Sequence, residues 1–193
     1  MEQTANTISS QIETLQKAVE KKPDSADAHL RLGSALLKTK ATKRAEEALR
    51  RAIELDPSCV KAWVNLGGIL LSRWDFPGCI EANRKALEVD PELMQAHYNL
   101  GLGLLYKGEA KEMVTCFRKV IELDPENAGG HYHLAVGLLS IDRLEEAQFY
   151  VEKATQLGFT PNQDFMKELE KKTGGSKAGA TNKVGPGIKD TTH

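Results

Sequence analysis

Apolar and polar positions along this chain follow a helical spacing, and the whole pattern repeats every 34 residues. Leu32, Leu66, Leu100 and Leu134 are 34 apart, and each is followed by a small residue: Gly33, Gly67, Gly101 and Ala135. Three residues before each leucine stands a ring, His29, Trp63, His97 or His131. Further on in phase come Ala45, Cys79, Met113 and Ala147, then Ala52, Ala86, Val120 and Ala154. Three units close on Asp-Pro: Asp56-Pro57, Asp90-Pro91 and Asp124-Pro125. Each unit predicts two amphipathic helices. In the third, Leu100, Leu104 and Leu105 share one stripe, Lys107-Gly108-Glu109 ends the first helix, and Val114, Phe117 and Ile121 begin the second stripe. A fixed period of this size predicts a stacked array, whose business is presenting surface.

Both ends carry shorter stripes. Ile8, Ile12, Leu15 and Val19 fall on one helical face ending before Pro23. Ala18 and Pro23 are in phase with Ala52 and Pro57, so residues 8–22 read as the second helix of a repeat lacking its first. This helix is expected to pack in register on the helix that follows. Phe165, Met166 and Leu169 predict a C-terminal capping helix, the device that keeps the last unit of an array soluble. From 173 to 193 the chain runs to Gly, Ala, Thr and Lys without apolar periodicity and reads as a disordered tail.

Trp63-x2-Leu66-Gly67-x2-Leu70, and Met113-x3-Phe117 with Pro125, are similar to the two halves of the tetratricopeptide repeat (TPR) signature, W-x2-L-G-x2-Y…A-x3-F…P. On these residues the chain resembles the TPR family over four repeats, 26–59, 60–93, 94–127 and 128–161. They are preceded by a half-repeat in 1–25 and followed by a cap in 162–172. The resemblance implies an all-α, right-handed TPR superhelix (α-solenoid) of antiparallel helix pairs with capping helices at both ends. Asn83 and Val151 depart from the family's large ring in the second helix, and a weakened contact is expected at each.

Composition changes this picture little. A chain of 193 residues that is 40% hydrophobic and 27% charged, with net charge −1, is ordinary for a folded array. The balance disfavours nucleic acid as a partner, which calls for a basic stripe. No apolar run of about 18 residues suggests membrane insertion, and no signal segment is visible, so a cytoplasmic setting is expected. Three cysteines without CxxC spacing form neither a disulfide framework nor a zinc site. His131 and His133 are i,i+2 and diverge on a helix. No nucleophile–base pair or phosphate-cradling loop is present, so neither a metal, a cofactor nor an enzymatic activity is expected.

In the TPR family the first helix of each repeat lines the concave face. Counting into the repeats, the sixth position is Arg31, Asn65, Asn99 and His133, and the fifth is Leu30, Val64, Tyr98 and Tyr132. The resemblance therefore implies a peptide-binding groove carried by Arg31, Val64, Asn65, Tyr98, Asn99, Tyr132 and His133. Its chemistry suits a protein or peptide partner. An Asn amide both donates and accepts, and so matches any extended backbone. The TPR subclass that grips a C-terminal carboxylate uses Lys, Asn and Arg where this chain has Leu30, Ser34, Asn65, Gln95 and Asn99. Only Asn65 agrees, so that specialised clamp is not expected. The competing reading is a self-assembling scaffold, a homo-oligomer in which the 8–22 helix or the tail enters a neighbour.

Overall fold

The computed structural model describes residues 2–174, and the tail from 175 onward lies outside them. Among the described residues there are ten helices and no strand. Met1–Asp124 and Pro125–His193 form two compact units. The first holds α1 (Glu2–Lys21), α2 (Ala26–Lys38), α3 (Thr42–Leu55), α4 (Val60–Ser72), α5 (Phe76–Val89), α6 (Met94–Lys107) and α7 (Ala110–Leu123). The second holds α8 (Ala128–Ser140), α9 (Leu144–Gln156) and α10 (Gln163–Lys172).

Close helix pairing rests on the small residue after the shared leucine. A Cβ added to Gly33 would lie 2.7 Å from the Leu49 side chain, at Gly101 2.7 Å from the Phe117 ring, and at Gly67 it would collide with the Asn83 amide. Each glycine thus receives the side chain sixteen residues on, and Leu49, Asn83 and Phe117 are all fully buried. Asn83 therefore does more than loosen a contact. Its Nδ2 donates to the Cys79 carbonyl at 2.7 Å, while its buried Oδ1 has no donor. Such an orphan costs about 1–3 kcal/mol. Leu49 already fills the equivalent place opposite Gly33, and Asn83 is fully buried against Gly67 and Cys79. Asn83→Leu is expected to stabilise the first unit by about 1–2 kcal/mol, by removing the orphan. A rise in denaturant midpoint at unchanged slope would show it; a fall would mean that the Asn83–Cys79 contact outweighs the unpaired oxygen.

The 34-residue rings have a polar reason for recurring. Trp63 Nε1 donates to the Pro57 carbonyl at 2.9 Å. The Nε2 atoms of His29, His97 and His131 reach the carbonyls of Pro23, Pro91 and Pro125 at 2.9, 2.8 and 2.9 Å. Since a carbonyl only accepts, Nε2 carries the proton in each of these histidines. Ring and proline together tie each repeat's first helix to the turn before it. Asp56 and Asp90 finish the same turns: their backbone N–H groups close α3 and α5, and their carboxylates accept from the N–H two residues on.

Turns within the helix pairs also repeat. Lys40, Trp74, Gly108 and Asp142 are in phase and all have positive φ, between 57° and 76°. Only at Gly108 does the residue type suit that conformation without cost. On the helix surfaces, Glu46–Arg50 pairs at 2.9 Å. Arg51 pairs with Glu54 and Asp24, and Lys85 with Glu88.

In the first unit α1 packs on α2, and Ile12 joins the core of Leu36, Ala45, Leu49, Ala52, Ala62 and Ile69. In the second, α8 and α9 bury Leu134, Ala135, Leu138, Ala147, Val151 and Ala154, and α10 adds Phe165 and Leu169. Val151 thus fills its place as an aliphatic core residue. Lys172 of α10 pairs with Asp142 at 2.6 Å. No described helix is long and apolar enough to cross a membrane.

Candidate functional site

Within the first unit the first helices of successive repeats, α2, α4 and α6, touch one another and share a face. That face carries two recesses. The larger, about 580 Å³, has an apolar floor of Leu15, Leu30, Ala35, Val64 and Leu93, with Arg31, Lys38, Lys61 and Asn65 around it. The second, about 420 Å³, is bounded by Leu37, Val64, Asn65, Gly68, Gln95 and Asn99. Val64 and Asn65 border both, so the two recesses meet at α4.

Each of the two asparagines has one amide atom engaged by a neighbour. Asn65 gives its Nδ2 hydrogen to Ser34 Oγ at 3.0 Å, which leaves Oδ1 as the atom without a protein donor. Asn99 accepts from Gln95 Nε2 at 2.9 Å through Oδ1, which leaves its amide nitrogen as the donor. Gly68 keeps the space beside that nitrogen open, since even a Cβ there would stand 3.9 Å away. An acceptor and a donor on neighbouring helices are what an extended backbone needs.

The remaining expected residues have varied surroundings. Arg31 is exposed and paired with Asp27 at 2.9 Å. Val64 is 8% exposed and packs with Ala86 and Ala96, so it serves as floor more than as contact. Tyr98 is half-buried, edge-on to Phe117 at 5.5 Å, and burial pushes its hydroxyl pKa up. Tyr132 and His133 belong to the second unit. There the Tyr132 ring stacks on Phe159 at 4.5 Å and meets Phe165 at 5.4 Å, which commits it to the C-terminal cap. Burial lowers the His133 pKa to about 4, so near neutral pH it offers a neutral imidazole.

Lys61, together with Ser34 and Gln95, which the sequence showed only as departures from the carboxylate clamp, also lines the recesses. They occupy the ninth and second positions of their repeats, which recur in phase with the residues that were read. Lys38 and Gln11 lie outside that frame and only the packing of α1 and α2 brings them in. Cysteine plays no part. All three thiols are free, and burial raises Cys79 to about 11 and Cys116 to about 12. Trp74 is 70% exposed at its positive-φ turn and touches Phe76 and Tyr106 at 5.8 and 5.4 Å.

Tetratricopeptide-repeat models match residues 12–58, 42–92 and 95–127, together more than half of the sequence, and the chain belongs to this family. The first match begins inside α1. Solved structures with the same helical-repeat fold include MamA, with TM-score 0.74 and 21% identity over 80% of this chain and 91% of that one. MamA from Desulfovibrio magneticus RS-1 gives 0.72 and 19% over 80% and 87%. YrrB, described as a TPR protein with an unusual peptide-binding site, gives 0.72 and 20% over 88% and 86%. No curated protein matches the sequence. These likenesses establish a TPR solenoid, a fold that serves as a protein-interaction scaffold.

Proposed function

We propose that the first unit is a non-catalytic module that binds an extended segment of a partner protein along the face of α2, α4 and α6. The observation that carries this is the complementary pair of amides. Asn65 Oδ1, as an acceptor, and the amide nitrogen of the largely buried Asn99, as a donor, belong to side chains that line the second recess, each fixed by a neighbouring side chain. Apolar floors on either side of α4 accommodate side chains of the bound segment. YrrB's described peptide-binding site agrees with such a use of the fold. The self-docking alternative has less support, because α1 is already seated on α2 of its own chain.

The test is a selection of random dodecapeptides on the intact chain, followed by titration of the recovered peptides. Asn65→Ala combined with Asn99→Ala is expected to weaken them by about 5- to 150-fold, two hydrogen bonds at about 0.5–1.5 kcal/mol each. Circular dichroism and the denaturation midpoint verify that the variant is folded. Unchanged affinity in a folded double variant would remove the asparagines from the site.

A further inference from the structure

We infer that the segment bound in the larger recess is acidic, with Asp or Glu side chains flanking an apolar residue. This deepens the peptide-binding reading and rests on it. The charged side chains around the recess are Asp27, Arg31, Lys38 and Lys61. Asp27 is consumed by Arg31, whose Nε lies 3.1 and 2.9 Å from its two carboxylate oxygens. Lys38 and Lys61 have no anion within reach among the described residues. The recess therefore holds an excess of two positive charges in a chain whose formal net charge is −1.

Several other cations of these repeats have carboxylate partners, and those that do not, Lys40, Lys43, Arg44 and Lys111, lie outside the recess. Arg50 and Arg73 pair with Glu46, Arg51 with Glu54, Arg84 with Glu112 and Lys119 with Glu92. Lys61 is also in the first turn of α4, where the helix dipole disfavours a cation, and α4 has no acidic residue in that turn to offset it. Two uncompensated ammonium groups beside an apolar floor complement a carboxylate-bearing peptide and repel a basic one. Both are long, flexible side chains on adjacent repeats, able to reach anions at different places along a segment. Neither occupies a position of the family's carboxylate clamp, where this chain has Leu30, Ser34, Asn65, Gln95 and Asn99.

The composition of the selected dodecapeptides tests this directly. Recovered sequences should be enriched in Asp and Glu next to Leu, Ile or Val. Their affinity should fall with rising salt, since exposed charges are screened. Lys38→Glu with Lys61→Glu should weaken acidic peptides by at least about 10-fold and reverse the charge of the peptides selected. Peptides that bind in an Asn65- and Asn99-dependent way but are neutral or basic would overturn the acidic assignment and leave the groove reading standing. Failure to enrich any peptide would overturn both.

Discussion

Replacing Phe117 with alanine is expected to destabilise the first unit by about 3–5 kcal/mol, the usual range for deleting a fully buried ring. Phe117 is 0% exposed, its ring closes on Gly101, and it supports Tyr98 from one edge. Alanine would leave a void against a glycine, which has no side chain of its own to fill it. The loss should be local first, because a solenoid's stability is a sum over repeats and the interfaces between neighbours. Hydrogen exchange is the suitable measurement: α6 and α7 should lose protection well before α2 and α3. Phe117→Leu should cost much less, about 1 kcal/mol, because Leu49 occupies the equivalent place opposite Gly33. Uniform loss of protection across α1–α7 would show that the first unit unfolds as one block, with no independent share for each repeat.

Period and fold were closely linked, and the link is steric. A residue that must be small because another side chain arrives sixteen positions later leaves a mark in every repeat, as Gly33, Gly67 and Gly101 do. The rings three residues before each leucine were visible as rings, but their bond to a proline carbonyl was not. What selects them is an N–H at a given reach, a property that His and Trp share and that bulk alone does not reveal. The left-handed turn residues show the reverse. Gly108 displays the conformation in its residue type, whereas Lys40, Trp74 and Asp142 conceal it, and only their phase with Gly108 betrays them.

The candidate site was less legible, because its decisive contacts cross between helices. That Asn65 would be held by Ser34 depends on how α4 is rotated against α2, and those residues are 31 apart, outside the 34-residue phase. Tyr132 was placed by the repeat pattern on the binding face, yet Phe159 and Phe165 claim its ring. Both partners lie beyond the last helix of the fourth repeat, where the periodicity stops. Val64 was read as a contact because its position is outward in the family. Its burial against Ala86 and Ala96 follows from two small residues that let the helices close over it.

The second large effect concerns acid stability of the second unit. Burial holds the folded-state pKa of His133 at about 4, against 6.5 for an ordinary histidine. Below about pH 6.5 the unfolded chain therefore takes up a proton that the folded chain refuses. The sign is fixed by that asymmetry: stability is fully present above about pH 6.5 and declines as pH falls towards about 4. At about 1.4 kcal/mol per pKa unit, the loss approaches about 3 kcal/mol at the acid end. Carboxylates also titrate near that end, so the contribution of His133 is isolated by difference. His133→Gln, which cannot be protonated, should show a flatter stability profile between about pH 6.5 and 4 than the parent chain. Parallel profiles, with a constant offset at every pH, would mean that His133 is solvated before the unit unfolds and that its burial contributes nothing to acid sensitivity.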